Sequence, residues 1–195
     1  GDILFEGRSI AGLPIHRIVT LGIARTFQTI RLFQNMSVLE NVLAGRHCRM
    51  KSGLISSMFK PPSEKREEEE ALRHALRELD FVGLAGQATQ KAGSLSYGNQ
   101  RLLEIARALA TEPRLLILDE PAGGMNEFET EALLGLIGKL RDRGLTILLI
   151  EHDMSLVMRA CEKLVVLEYG CKIAGGSPEK VKNDSKVIEA YLGAD

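Results

Sequence analysis

Residues 95–121 read LSYGNQRLLEIARALATEPRLLILDEP, and the fold follows from how this stretch divides into a loop, a helix, a short break and a strand. Ser96 is placed to cap the helix, Gly98 lets backbone approach a ligand, and no side chain is expected to block the free N–H groups of the first turn. That predicts an anion site at an open helix start. Leu103, Ala106, Leu109 and Ala110 recur at helical spacing on one face, and Pro113 ends the helix. Residues 115–118 form a continuous aliphatic run, expected to be a strand buried on both faces of a parallel sheet. Asp119 and Glu120 leave its carboxyl end, the edge at which open α/β sheets bind ligands.

Composition narrows the class. With 195 residues, 45% of them hydrophobic, the chain suits one domain with a true core. Its net charge of −1 supplies no field to recruit nucleic acid. Cys48, Cys161 and Cys171 are odd in number and lack paired metal-ligand spacing, which favours a reducing compartment over a disulfide framework. No apolar run reaches the roughly 20 residues needed to span a bilayer, and the first residues lack a signal-peptide layout. Residues 67–70, four glutamates flanked by Lys65, Arg66 and Arg73, read as a solvated helix face.

Ahead of the opening stretch, Ile3 and Phe5 alternate with polar neighbours before Gly7 and predict an edge strand entering a turn. Pro14 opens a short helix through Leu21, with Gly22 as its stop. Residues 23–28, IARTFQ, are strand-like and end on the amide of Gln28. Ser37 and Glu40 form a capping box before Val38, Leu39, Val42 and Leu43. Residues 51–62 mix Gly, Ser and Pro with Leu54, Ile55, Met58 and Phe59, a pattern equally suited to a docking loop and to core capping. From Ser63 a longer helix presents Leu72, Ala75, Leu76 and Leu79 on one face and stops near Gly83.

Behind it, residues 122–126 form a turn, and Leu133, Leu136, Ile137 and Leu140 make the next helix face, stopped by Gly144. Residues 145–150 are a second aliphatic run, again expected to be fully buried, which delivers Glu151, His152 and Asp153. Met154, Val157, Met158 and Cys161 share a helix face. Residues 164–167 predict another strand, and Tyr169-Gly170 a hairpin turn through Ile173 and Ala174. Ser177-Pro178 caps a short helix, and Val187, Ile188, Tyr191 and Leu192 form the last apolar face before Gly193. Strands alternating with helices in this way predict a mostly parallel α/β sheet.

An anion-binding helix start closely followed by four aliphatics and Asp-Glu-Pro resembles the signature and Walker B segments of the ABC-type ATPases. The resemblance implies a P-loop NTPase-like α/β fold over residues 1–195, with a helical subdomain at 31–93 and a C-terminal helical tail at 177–195. It implies that Ser96, Gly98 and Gln100 meet ATP bound to the opposite subunit. Asp119 would hold Mg²⁺ through water, and Glu120 would polarise the attacking water. Gln28 would contact Mg²⁺ and sense a membrane permease, Asn126 would lie in the loop after Walker B, and His152 would contact the γ-phosphate. Tyr97 stands where the commonest signature has glycine, as in the branched-chain amino-acid branch; Leu102 replaces an arginine, and Asn126 an aspartate. The length of the helical region, the insertion KSGLISSMFKPPS and the ending VIEAYLG are similar to branched-chain amino-acid importers, and the tail also resembles the lipopolysaccharide-export ATPase.

The phosphate loop G-x-x-x-x-G-K-[ST] has no match in these 195 residues: Gly138-Lys139 precedes leucine inside an amphipathic helix. The N-terminal part of the family fold is therefore expected to be missing, and the isolated chain to be inactive. The readings compared are an ATP-hydrolysing importer subunit, a non-hydrolytic subunit lending its signature face to a partner, and a lipopolysaccharide-export ATPase. For the first, the implied partners are permease subunits, a second identical or different ATPase subunit and, indirectly, a substrate-binding protein. The implied location is the cytoplasmic face of the membrane.

Overall fold

A computed structural model describes residues 1–49 and 62–192, with side chains described for all of these but 62–64 and 191–192. The apolar segment at 51–61 and the stop at Gly193 lie outside the described residues. Seven strands and eight α-helices occur among the described residues. Strands β1 (Leu4–Phe5) and β2 (Arg8–Ser9) form a hairpin. Its turn residues Glu6 and Gly7 both have positive φ, the conformation that two-residue hairpin loops require.

Helix α1 (Ile15–Thr20) runs between Pro14 and Gly22 as expected. It feeds β3 (Ile23–Arg25), which pairs in parallel with β4 (Leu115–Asp119), and β4 in turn with β5 (Thr146–Ile150). This three-stranded parallel sheet is the platform on which the predicted acids sit. Strands β6 (Leu164–Glu168) and β7 (Cys171–Gly176) form a separate antiparallel ribbon, turned at Tyr169-Gly170, where both residues have positive φ.

Among the described residues, three α-helices lie between β3 and β4. In α2 (Val38–Arg46) the Ser37–Glu40 capping box is present in both directions. Helix α3 (Pro62–Phe81) ends as expected at Gly83, with Leu84 N–H on the Leu79 carbonyl and Gly83 N–H on that of Asp80, a Schellman stop. Its inward face differs from the expected one. Ala71, His74, Ala75, Glu78 and Leu79 are buried, whereas Leu72 and Leu76 are each 40% exposed. The stripe is rotated because Glu78 is held by Arg143, which stacks on Phe81, and His74 by Glu112, so polar side chains occupy core-facing positions that a hydrophobicity pattern skips.

Helix α4 (Tyr97–Leu109) packs on α2 and α3. The approach of α2 to α4 is close: a Cβ on Gly45 would lie 2.3 Å from the Arg107 carbonyl oxygen. Backbone cannot move aside as a flexible side chain would. Gly45→Ala is therefore expected to destabilise the protein by about 1–3 kcal/mol through overpacking. Gly135→Ala, at an exposed helical site with nothing within 4 Å, is expected to be neutral or to stabilise by up to ~1 kcal/mol. Thermal unfolding of the two variants checks this; equal midpoints would refute the close-approach argument.

Helix α5 (Glu127–Asp142) places Leu133, Leu136, Ile137 and Leu140 in one core with Ala24, Leu116, Leu118 and the apolar face of α4. A second cluster joins α6 (Met154–Ala160), the β6–β7 ribbon, α7 (Pro178–Lys182) and α8 (Ser185–Leu192), with Leu149 touching both. The two aliphatic runs depart from the expected burial on both faces. Leu116 and Leu118 are fully buried, but Leu115 and Ile117 are half-buried and Leu148 and Ile150 are 49% and 43% exposed. Side chains alternate across a sheet, and among the described residues the helices cover one face more completely than the other. No described helix is long and apolar enough to cross a membrane.

Candidate functional site

The carboxyl end of β4 collects four of the predicted residues. Asp119 is the last residue of the strand, and its N–H donates to Thr26 Oγ1 at 3.3 Å. Glu120 then takes a left-handed backbone, φ 45°, with its N–H on the Ile150 carbonyl. Such a conformation is unfavourable for a glutamate and persists only where its surroundings impose it. The turn brings the Glu120 carboxylate against two other segments. Gln28 Nε2 donates to Glu120 Oε2 at 2.8 Å, and His152 Nδ1 stands 3.8 Å from Glu120 Oε1. The second separation is ion-pair range and too long for a hydrogen bond. The His152 side chain is 76% exposed, free to meet a ligand from solvent.

Two neighbours were not evident from sequence. Arg25 Nη2 lies 2.6 Å from Asp119 Oδ2, so the predicted metal ligand is held in an ion pair. Arg25 is 54% exposed, and such a pair is worth little in free energy, so the arginine can swing away. Glu151 accepts from the N–H groups of Ala122 and His152, tying the turn after β4 to the loop after β5. Asp153 caps α6 by accepting from Ser155 and Leu156.

The remaining predicted residues form a second group at the starts of α4 and α5. Ser96 Oγ accepts from Asn99 N at 3.3 Å, capping α4 as expected. Gln100 donates its side-chain amide to the Leu95 carbonyl, and Asn126 caps α5 in a reciprocal box with Glu129. The sequence N-x-x-E before an apolar run is the signal that announces this box. The α4 start is not open, contrary to expectation. A Cβ on Gly98 would lie 2.4 Å from Glu129 Oε1, because Glu129, reaching back to cap Asn126, lies between the two helix starts. Tyr97 lies against the backbone of Gly124, and Leu102 is a half-buried contributor to the main core.

Asp119, Glu120 and Gln28 offer oxygen atoms suited to a hard cation such as Mg²⁺. Among the described residues no cluster of three or more His, Cys, Asp or Glu side chains converges on one point.

The ABC transporter family profile matches residues 1–123, and the profile described as branched-chain amino acid ATP-binding cassette transporter matches 171–195. High-affinity branched-chain amino acid transport ATP-binding protein BraF of Pseudomonas aeruginosa is 46% identical over 194 residues, covering 99% of this chain and 76% of the relative. LivG of Escherichia coli K12, with the same description, gives the same identity and coverage. Among solved structures, the ADP conformation of MJ1267, an ATP-binding cassette of an ABC transporter, superposes with a TM-score of 0.82 at 34% identity. It covers all of this chain and 77% of that one. The three-stranded parallel sheet, the Asp-Glu pair at its edge and these matches together place the chain in the ABC transporter ATP-binding family, among its branched-chain amino-acid members.

Proposed function

We propose that this chain is the ATP-binding and ATP-hydrolysing subunit of an importer of branched-chain amino acids. The observation that carries the reading is the 2.8 Å contact of Gln28 with Glu120, which links a loop reaching toward the helices α2–α4 to the predicted water-activating acid. Glu120 accepts a proton as water attacks the γ-phosphorus of ATP, and Gln28 fixes the orientation of its carboxylate. His152 contacts the γ-phosphate. Ser96, Gly98 and Gln100, with Asn126 beside them, meet nucleotide held by a second subunit, after the Glu129 side chain has moved off Gly98. Asp119, through water, and Gln28 would hold Mg²⁺, which would offset phosphate charge.

In this reading residues 31–93 form a helical subdomain, within a single ATPase domain over 1–195, that docks on a permease at the cytoplasmic face of the membrane. Residues 177–195 form the tail. The partner ATPase is a second copy or a related chain, and a substrate-binding protein acts through the permease. Gln28→Ala, in a transporter assembled with a polypeptide carrying a family phosphate loop ahead of residue 1, is expected to lower permease-stimulated ATPase about 10-fold or more and to change ATP affinity less, as for a group that acts in coupling more than in binding. Equal losses in stimulated rate and affinity would contradict the coupling role. Crosslinks from 31–93 that never reach the permease would contradict the docking role.

A further inference from the structure

Helix α4 carries an ion pair that none of the roles above uses. Arg101 and Glu104 are each 2% exposed, and Arg101 Nη1 lies 3.1 Å from Glu104 Oε2. Burying both charges is costly, and a buried pair of this kind is weak evidence for stability. Arg101 Nε is moreover buried without a hydrogen-bond partner. What the pair does hold is the segment around Gln28. Arg101 Nη1 donates to the Phe27 carbonyl at 2.6 Å and Nη2 to the Gln28 carbonyl. Glu104 Oε1 accepts from Phe27 N at 3.4 Å and from Arg31 N at 3.5 Å. The loop is thus gripped through carbonyls at its start and through N–H groups at both ends.

The grip reaches both groups of predicted residues. Beyond its carbonyls, Gln28 touches Glu120 through its side chain. At the other end, Arg101 Nη2 lies 3.3 Å from the Tyr97 hydroxyl, with the guanidinium 5.8 Å from the ring centre. Tyr97 itself sits beside Ser96 and Gly98 and against Gly124.

We propose that Arg101 and Glu104 are positioning residues that clamp residues 27–31 to α4, so that a displacement of the α4 start is passed to Gln28 and through it to Glu120. The fork of a guanidinium suits the task, because one rigid plane reaches two successive carbonyls while keeping a carboxylate partner. Lysine would keep the charge and lose the fork. This inference rests on the coupling role proposed for Gln28, and the test separates the two.

In the transporter assembled from permease and an ATPase polypeptide carrying a family phosphate loop ahead of residue 1, Arg101→Lys is expected to raise amide exchange at residues 27–31 by about 10-fold or more, the loss of charge-assisted hydrogen bonds. Permease-stimulated ATPase is expected to fall by a similar factor while KM for ATP stays within about twofold, and adding the change to Gln28→Ala is expected to cost nothing further. The double change Arg101→Met with Glu104→Met, which replaces the buried pair by apolar side chains and removes the grip without leaving a buried charge unpaired, repeats the test if the lysine variant does not fold. Unchanged exchange at 27–31 in a folded variant overturns the clamp. So does a loss that adds in full to that of Gln28→Ala, since Arg101 would then act by another route. If Gln28→Ala leaves stimulation intact while Arg101→Lys still loosens the loop, the coupling role of Gln28 fails and the clamp stands.

Discussion

Glu120→Gln, in a polypeptide carrying a family phosphate loop ahead of residue 1, is expected to retain ATP binding and to lower turnover by at least about 10²-fold, the usual cost of losing a positioned base. The substitution changes little else. Glutamine has nearly the shape of glutamate, its carbonyl oxygen can still accept from Gln28 Nε2, and the left-handed backbone at residue 120 is as accessible to glutamine as to glutamate. What disappears is the ability to take a proton from water. Binding without turnover should trap the nucleotide-bound dimer, read as slow release of labelled ATP and a stable dimer in size-exclusion chromatography. Turnover within a few-fold of the parent would refute the assignment of the base. Parallel loss of binding and turnover would point to Glu120 as a ligand of the nucleotide complex rather than as its base.

The acid pair was legible in the sequence because its position depends on a local pattern: an aliphatic strand delivers whatever follows it to the sheet edge. The same reasoning found the Ser37–Glu40 box, the Gly22 and Gly83 stops and the Tyr169-Gly170 hairpin, each fixed by chemistry within a few residues. Long-range features escaped it. The Arg25–Asp119 pair joins residues 94 apart, and the Arg101 grip on residues 27 and 28 spans more than 70. No spacing rule connects them, since they follow from the pairing of β3 with β4 and the seating of α4 beside that edge. The inward face of α3 was misjudged for a related reason. His74 and Glu78 are polar, and only their partners Glu112 and Arg143, on other elements, make their burial tolerable. The covered Gly98 has a similar origin, because Glu129 reaches it from a helix that begins about 30 residues later.

A polypeptide of these 195 residues alone is expected to show no measurable ATPase and to bind MgATP about 10³-fold or more weakly than one carrying a phosphate loop. That loop supplies a cradle of backbone N–H groups and a lysine to the triphosphate, each charge-assisted contact being worth ~1.5–3 kcal/mol. Within the 195 residues, the sheet edge offers Asp119 and Glu120, which repel phosphate unless a cation intervenes. The α4 start, the other anion site foreseen, has the Glu129 carboxylate against Gly98. Leu148 and Ile150, about half exposed on β5, give the same polypeptide an apolar sheet face expected to bind a hydrophobic dye. A partner that holds ATP in its own phosphate loop changes the outcome, because Ser96 and Gly98 then need only close over nucleotide already bound. Mixing with such a partner should restore at most one working site per dimer. Titrating the polypeptide with a fluorescent ATP analogue and Mg²⁺ decides the matter. Tight, saturable binding that Asp119→Ala abolishes would show that the sheet edge holds nucleotide unaided, whereas binding appearing only with the partner, and lost in Gly98→Asp, would establish the shared site.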